Sequence, residues 1–270
     1  MTVGTLAGLS DSEVVGSLRG AAQRARSLFR AWFIATWIVL VGALVVVLWV
    51  TGNIKPDFIA SAGPFILGGA GITVLISVVS IFFATLLAMV GALGRISRNP
   101  ILNGLASLYV SLVRGTPLLV QVFFVYLALP ELGIILPVIV GGIVALAFNY
   151  GAYMTEVFRA GIQAVPRGQR EAAQALGMPE RQIMTRIVLP QAVRIVIPAI
   201  GNDFISMIKD SSLVYVLGVS ELLFRASTLG RRELASLSAL LIAALIYWVL
   251  TIVFSFFQER LERRMARGDR

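Results

Sequence analysis

The sequence predicts an all-α integral membrane protein with about six transmembrane helices. Hydrophobic residues make up 58% of the 270-residue chain and charged residues only 14%, whereas an average soluble domain has about 25% charged residues. A soluble fold of this size would expose large apolar patches. Long apolar runs recur along the chain, as a multi-pass membrane protein requires.

Six apolar runs are long enough, singly or across one interruption, to cross a bilayer core of about 30 Å. They span residues 31–51, 64–93, 105–129, 136–158, 192–223 and 234–257. The third run is interrupted at 114–117 and the fifth at 209–212. We expect the fifth to be a broken helix, or a helix followed by a re-entrant segment, because irregular backbone at membrane depth is tolerated only beside a cavity or inside protein.

The basic residues are distributed unevenly between the two sides of these predicted spans. Seventeen of the 23 lysines and arginines lie in the N-terminal stretch, in the connections after the second and fourth spans, and in the C-terminal tail. Because basic residues mark the cytoplasmic side, both termini are expected in the cytoplasm. The bias explains the net charge of +9 through topology and contact with the lipid bilayer, without a nucleic-acid partner.

The composition removes several kinds of catalytic site. The chain has no cysteine and no histidine, which excludes disulfides, Ser-His-Asp and Cys-His catalysis, and the usual zinc ligands. It also contains no G-x-x-x-x-G-K-[ST] phosphate-binding loop. The sequence therefore predicts a chain that is not an enzyme and holds no metal or cofactor, with carboxylate chemistry as the enzymatic alternative that stays open.

The connection after the fourth span, at about 167–191, has the pattern of two short helices joined by a glycine. Alanine, glutamate and glutamine favour a helix up to Leu176, and Gly177 suits its end because glycine accepts a left-handed backbone. Pro179 fits the first turn of a second helix, which we expect to end at Leu189-Pro190. One face of that helix is apolar and carries Ile183, Met184, Ile187 and Val188.

The spacing in this connection resembles the EAA loop of the membrane subunits of bacterial binding-protein-dependent ATP-binding-cassette importers, which implies a multi-pass protein of the bacterial inner membrane. Its elements are Glu171-Ala172-Ala173, three residues, Gly177, nine residues, Ile187, one residue, and Leu189-Pro190. The segments 114–121, 151–156, 202–206 and 209–213 are similar to the polar amino-acid subfamily, which carries histidine, glutamate, glutamine, arginine or opines. The resemblance covers about residues 64–260.

The resemblance implies a division of labour between subunits. It predicts a permease domain of the type I importer kind at 61–260, preceded at 1–60 by a cytoplasmic lead with an extra span and followed at 261–270 by a basic cytoplasmic tail. A separate ATPase dimer, which binds ATP and Mg²⁺, is expected to dock on the EAA loop. A second permease subunit, the same or different, and an extracytoplasmic amino-acid-binding protein complete the expected assembly. A membrane-surface helix pair without a partner is the alternative for the loop.

Charged and polar residues near or within the spans are candidates for the substrate path, because ionisable groups in a membrane are costly. The guanidinium of Arg114 suits a carboxylate, and Glu156 or Asp203 suits an ammonium group. The other candidates cluster in the fifth run and are Asn202, Ser206, Lys209, Asp210, Ser211 and Ser212. The alternatives are structural ion pairs, such as one between Glu156 and Arg159, and helix caps for Ser211 and Ser212.

Two other functions compete with an importer subunit. An ion-coupled secondary carrier of a small polar solute also uses broken helices and buried charges, but it gives no reason for the EAA spacing. A membrane scaffold or membrane enzyme is the third class. Association with an ATPase, and transport that depends on ATP hydrolysis, would separate the first function from the other two.

Overall fold

A computed structural model describes residues 11–50 and 55–265, and within these ranges the chain is helical and contains no β-strand. This confirms the predicted all-α class. Residues 1–10 and Thr51, and the tail residues Arg267 and Arg270, lie outside the described residues. The chain divides into two compact units, with the boundary in the sequence between Lys55 and Pro56.

The first unit contains one helix, α1 (Asp11–Val50). The described part of the predicted lead and the predicted extra span lie on this one continuous helix. Its apolar part, Gln23–Val50, is long enough to cross a membrane. Large apolar side chains along it are exposed, among them Trp32, Trp37 and Trp49, as expected of a helix that faces lipid.

The second unit begins with two helical segments that are each divided by a break. The first segment comprises α2 (Pro56–Leu67) and α3 (Ala70–Ile96), with the break at Gly68-Gly69. The second comprises α4 (Pro100–Arg114), α5 (Leu118–Phe123), a π-helical turn (Phe124–Ala128) and α6 (Leu129–Glu131).

The third predicted span is sharply bent rather than merely interrupted. The axes before and after residues 115–117 differ by 105°. Pro117 lacks an N–H and disfavours helical backbone at the residue before it, so α4 ends at Arg114. The predicted span at 105–129 therefore consists of two helical arms joined by a sharp bend.

The middle of the second unit holds the predicted fourth and fifth spans with the loop between them. These are α7 (Val138–Ala164), α8 (Arg167–Ala175), α9 (Glu180–Ile183), a π-helical turn (Met184–Val188), α10 (Leu189–Asp210) and a 3₁₀ helix (Ser211–Leu217). Two further helices, α11 (Leu222–Arg232) and α12 (Ser236–Met265), follow.

One expectation about this middle region is wrong. Leu189-Pro190 does not end the second loop helix, because the π-helical turn at Met184–Val188 widens the helix just before Pro190 and the chain continues into α10. The fifth run changes its helical geometry where the interruption was predicted, at 209–212: α10 ends at Asp210 and 3₁₀ geometry begins at Ser211. The helical segment Glu180–Leu217 as a whole forms one candidate span.

Within the described residues, five helical segments are long and apolar enough to cross a membrane, or six if the bent pair is one span. The helices α3 and α7 form the most extensive packing contact. Glycine permits their close approach, since a side chain at Gly91 would collide with Thr155. The loop lies at the first end of the helical segment Glu180–Leu217, and α11 follows the other end.

Candidate functional site

The loop between α7 and α10 contains the predicted helix–glycine–helix elbow. Gly177 has φ +73°, and its N–H donates to the Gln174 carbonyl over 2.9 Å. The Met178 N–H donates to the Ala173 carbonyl over 3.1 Å. These two bonds form a Schellman motif, in which a left-handed residue ends a helix. The predicted end of α8 and the predicted role of Gly177 in the turn are confirmed by this geometry.

The apolar side of the elbow packs onto the membrane bundle. Ala173, Ile183 and Val188 are buried together with Ile162 and Val165 from the end of α7, and Ile187 lies against them, half-buried. The predicted apolar face is therefore present and holds the loop against α7. This packing joins the loop to the bundle, because packed side chains resist compression.

The opposite side of the elbow is exposed. Glu171, Ala172 and Gly177 are exposed, and Leu176 retains 82% of its accessible surface. Arg170 and Glu180 form an ion pair across the elbow at 3.1 Å. The loop thus presents a shaped surface that mixes apolar and charged groups and that no part of the described chain covers.

The polar residues of α10 lie partly on one face. Spacings of three and four residues place Asp203, Ser206 and Asp210 on the same side of the helix. The Tyr150 hydroxyl, from α7, donates to Asp210 Oδ2 over 2.7 Å, and Tyr150 also lies within electrostatic range of Asp203. Asp203 Oδ2 is buried and accepts no hydrogen bond from the protein. A polar cluster between α7 and α10 results.

Arg114 is connected to this cluster through a second tyrosine. Its guanidinium carbon lies 5.2 Å from the centre of the Tyr153 ring, and Tyr153 is within electrostatic range of Tyr150. A guanidinium over an aromatic face is held by the ring quadrupole while its donors stay available. Arg114 is exposed, and none of the described carboxylates forms an ion pair with it. Tyr150 and Tyr153 were not among the candidates from the sequence, although two tyrosines in an apolar run were a visible signal.

The remaining candidates are arranged differently. Glu156 is paired with Arg95 at 3.0 Å and with Arg159 at 2.6 Å, which is the structural alternative considered for it. Ser211 is buried and its hydroxyl donates to the Ile208 carbonyl, as a cap would. Asn202 and Lys209 are exposed on α10, and Ser212 is half-buried.

The bend between α4 and α5 is fastened by side-chain amides. Gln121 Nε2 donates to the Val113 carbonyl at 2.8 Å and to Thr116 Oγ1 at 2.9 Å. Asn149, from α7, donates to Gln121 Oε1 at 3.2 Å. The segment 114–121, which carried part of the family resemblance, therefore fixes the angle that brings Arg114 over α7.

A buried carboxylate that the sequence analysis missed holds α11. Glu221 is fully buried, caps α11 by accepting from the Leu223 and Phe224 N–H groups, and accepts from the Tyr247 hydroxyl of α12. Burial raises the pKa of the Glu221 carboxyl, although these hydrogen bonds oppose the rise. The backbone of Gly69 packs against that of Glu221, where a side chain would approach to 2.8 Å.

No group of three or more metal-ligating side chains occurs in the described part of the chain. The arrangement consists of a membrane bundle, a polar cluster between two of its helices, and a mechanically attached loop with an exposed surface. Several candidate membrane spans with polar side chains between them define the class as a multi-pass membrane transport protein.

The family can now be identified. The sequence model of the binding-protein-dependent transport system inner membrane component matches residues 84–267, and the chain belongs to this family. It is the membrane-spanning permease subunit of an ATP-binding-cassette importer. The comparisons do not favour an ion-coupled carrier.

Individual relatives agree with this family assignment. The chain is 40% identical over 205 residues to the L-cystine transport system permease protein TcyB of Bacillus subtilis (strain 168), covering 76% of this chain and 88% of that protein. It is 40% identical over 207 residues to the arginine transport system permease protein ArtQ of the same organism, covering 76% and 94%. A chain in the crystal structure of an amino acid ABC transporter with histidines superposes with a TM-score of 0.74 at 35% identity, covering 78% of this chain and 99% of that one.

Proposed function

We propose that this permease imports polar amino acids and that the cluster of Arg114, Tyr150, Asp203 and Asp210 lines their path. An amino acid carries a carboxylate and an ammonium group, and the cluster offers one cation and two carboxylates within the bundle. The Asp203 oxygen that lacks a hydrogen bond in the protein carries this proposal, because a buried charged acceptor is costly until it is paired. The relatives named as cystine and arginine permeases support the substrate class.

Coupling takes place at the EAA loop, residues 167–191. The contact surface surrounds Glu171, Ala172 and Gly177. Ala173 and Ile187 pack against the end of α7, and Leu189-Pro190 lead from the loop into α10. A dimer of ATPase subunits binds ATP and Mg²⁺ and docks here, so this chain itself is not an enzyme. A second permease subunit, identical or related, and an extracytoplasmic binding protein complete the importer.

The orientation follows from the basic residues. The loop and both termini face the cytoplasm, and α11 lies on the extracytoplasmic side. The chain has no cysteine, so a single cysteine introduced at Thr5 reports the location of the N-terminus. Labelling of that cysteine in intact cells by a membrane-impermeant reagent would contradict six crossings.

Reconstitution tests the function directly. The permease is co-expressed with its ATPase, placed in liposomes with an amino-acid-binding protein, and supplied with ATP inside the vesicles. Uptake of radiolabelled amino acids is expected only with ATP and binding protein together. Glu171→Lys should reduce ATPase co-purification by reversing a charge on the exposed loop surface, whereas Glu259→Lys, on the exposed surface of α12, serves as the charge-matched control. Uptake driven by an ion gradient without ATP would refute the proposal.

A further inference from the structure

The turn between α11 and α12 combines backbone strain with an exposed apolar side chain. Leu234 has φ +48° and is the one non-glycine residue with positive φ in the described ranges 11–50 and 55–265. It occupies the position of a Schellman motif that glycine usually takes: its N–H faces the Arg231 carbonyl at 3.4 Å, and the Ala235 N–H donates to the Gly230 carbonyl at 2.8 Å. A leucine is strained in this conformation.

Burial within the chain does not offset this strain. The Leu234 side chain is 85% exposed, more than any other large hydrophobic residue in the described part of the chain. Glycine at this position would remove both the strain and the exposed apolar surface. A partner that covers the leucine would give a physical reason for both unfavourable features.

The surrounding contacts hold the turn in place. A side chain at Gly230 would lie 2.7 Å from the Ala239 side chain, so the ends of α11 and α12 meet closely. At its other end α11 is fixed by the buried Glu221 and by Arg225, whose Nη1 donates to the Phe65 carbonyl at 2.9 Å. A surface held in its final shape before binding loses little entropy when the partner arrives.

Two arginines accompany the leucine. Arg231 and Arg232 are exposed, and the ion pair of Arg232 with its neighbour Glu233, at 3.0 Å, is open to solvent and therefore weak. On the extracytoplasmic side, basic residues run against the charge bias that sets membrane topology. Arg225 has an internal role, whereas Arg231, whose Nε donates to the Ser227 carbonyl at 3.1 Å, and Arg232 both keep exposed side chains.

We propose that Leu234, Arg231 and Arg232 form a docking tip for the extracytoplasmic binding protein of this importer, and that the partner offers an apolar pocket edged by carboxylates. The inference rests on the proposed orientation. The family depends on such a binding protein, which must meet the permease on this side. Lipid is a poorer explanation, because anionic headgroups attract cations mainly at the cytoplasmic leaflet and a fluid bilayer does not require a leucine fixed in one direction.

The test uses the complete transporter, with its ATPase, in lipid nanodiscs. The probe is a purified amino-acid-binding protein that stimulates ATP hydrolysis by the wild-type complex. Leu234→Gly preserves the left-handed turn and removes the side chain. We expect the binding-protein concentration for half-maximal stimulation to rise roughly tenfold, with stimulation recovered at saturation. Leu234→Met keeps an apolar side chain and should stay near the wild-type value.

The charges are tested with Arg232→Glu, which should also weaken binding of the binding protein. The control is Arg98→Glu, at an exposed arginine in the turn before α4, which should leave binding unchanged. Unchanged half-maximal concentrations in Leu234→Gly and Arg232→Glu would overturn the docking tip. The docking tip would also be overturned if the effect of these substitutions depended on the anionic-lipid content of the nanodiscs while the affinity for the binding protein stayed constant. A wild-type complex that no amino-acid-binding protein stimulates would instead refute the proposed function.

Discussion

The two ends of the long helical segment Glu180–Leu217 are built in different ways. At the loop end, the elbow is defined by residues close in sequence: a glycine turn, a proline after it and a short apolar face. At the other end, Asp210 is held by Tyr150, sixty residues earlier, and the neighbouring Glu221 by Tyr247. The loop is a local structure attached to the bundle, whereas the far end is held by tertiary contacts.

This difference explains what each end can do. A locally determined elbow keeps its shape while its partner moves, because its hydrogen bonds lie within one turn. The far end depends on several helices at once, so a change in their packing alters the polar cluster. Force applied at the loop is therefore expected to change the environment of Asp203 and Asp210 without deforming the elbow itself. The predictions below test that contrast.

The largest expected effect is on stability and lies at the far end. Glu221→Ala removes the acceptor for two backbone N–H groups and the Tyr247 hydroxyl, and leaves these partly buried donors without it. We expect a loss of roughly 3 kcal/mol in unfolding free energy, measured by denaturation of the detergent-solubilised protein. Thr228→Ala, at an exposed position of α11, is the control. Equal stability of the two variants would show that the far end does not depend on this tertiary contact.

The second effect is on coupling and lies at the elbow. Gly177→Val places a β-branched residue at φ +73°, which is strained, whereas Gly177→Asn tolerates the left-handed backbone. ATP hydrolysis stimulated by the binding protein should fall about tenfold in the valine variant, a change of about 1.4 kcal/mol, at matched membrane expression. The asparagine variant should retain most of the stimulation. Full stimulation in Gly177→Val would mean that coupling occurs elsewhere.

The same contrast separates the features that could be predicted from the sequence from those that could not. The elbow and the all-α class follow from local patterns, and Gly177 was correctly assigned to the turn. The continuation through Pro190 was missed because the π-helical turn that accommodates it has no simple sequence signal. The change of helical geometry at Ser211 was expected from the polar run 209–212, but the contact of Asp210 with Tyr150 was missed because it joins two helices sixty residues apart in sequence. Glu221 was missed because its burial depends on α11 packing between α2 and α12.

The third effect is on transport and concerns the polar cluster. Asp203→Asn removes a charge whose buried oxygen has no hydrogen-bond partner in the protein, so uptake at low substrate concentration should fall several-fold. Tyr150→Phe releases Asp210 and should have a smaller effect in the same direction. Glu259→Gln on α12 is the control. If Asp203→Asn and Tyr150→Phe both transport at wild-type rates with unchanged apparent KM, the substrate path does not pass this cluster.

The smallest effect is expected from the ion pair across the elbow. Arg170 and Glu180 meet at 3.1 Å, but their side chains are 36% and 59% exposed, and solvent-exposed pairs contribute about 0–1 kcal/mol. If the Gly177 turn and the apolar packing define the elbow, Arg170→Ala should lower stability and coupling only slightly, and a double-mutant cycle with Glu180→Ala should give a coupling energy below about 1 kcal/mol. Ile183→Ala is the comparison, because Ile183 is fully buried against α7 and its truncation should cost about 2–4 kcal/mol. A larger loss in Arg170→Ala than in Ile183→Ala would mean that charge, and not the local turn with its apolar face, holds the loop together.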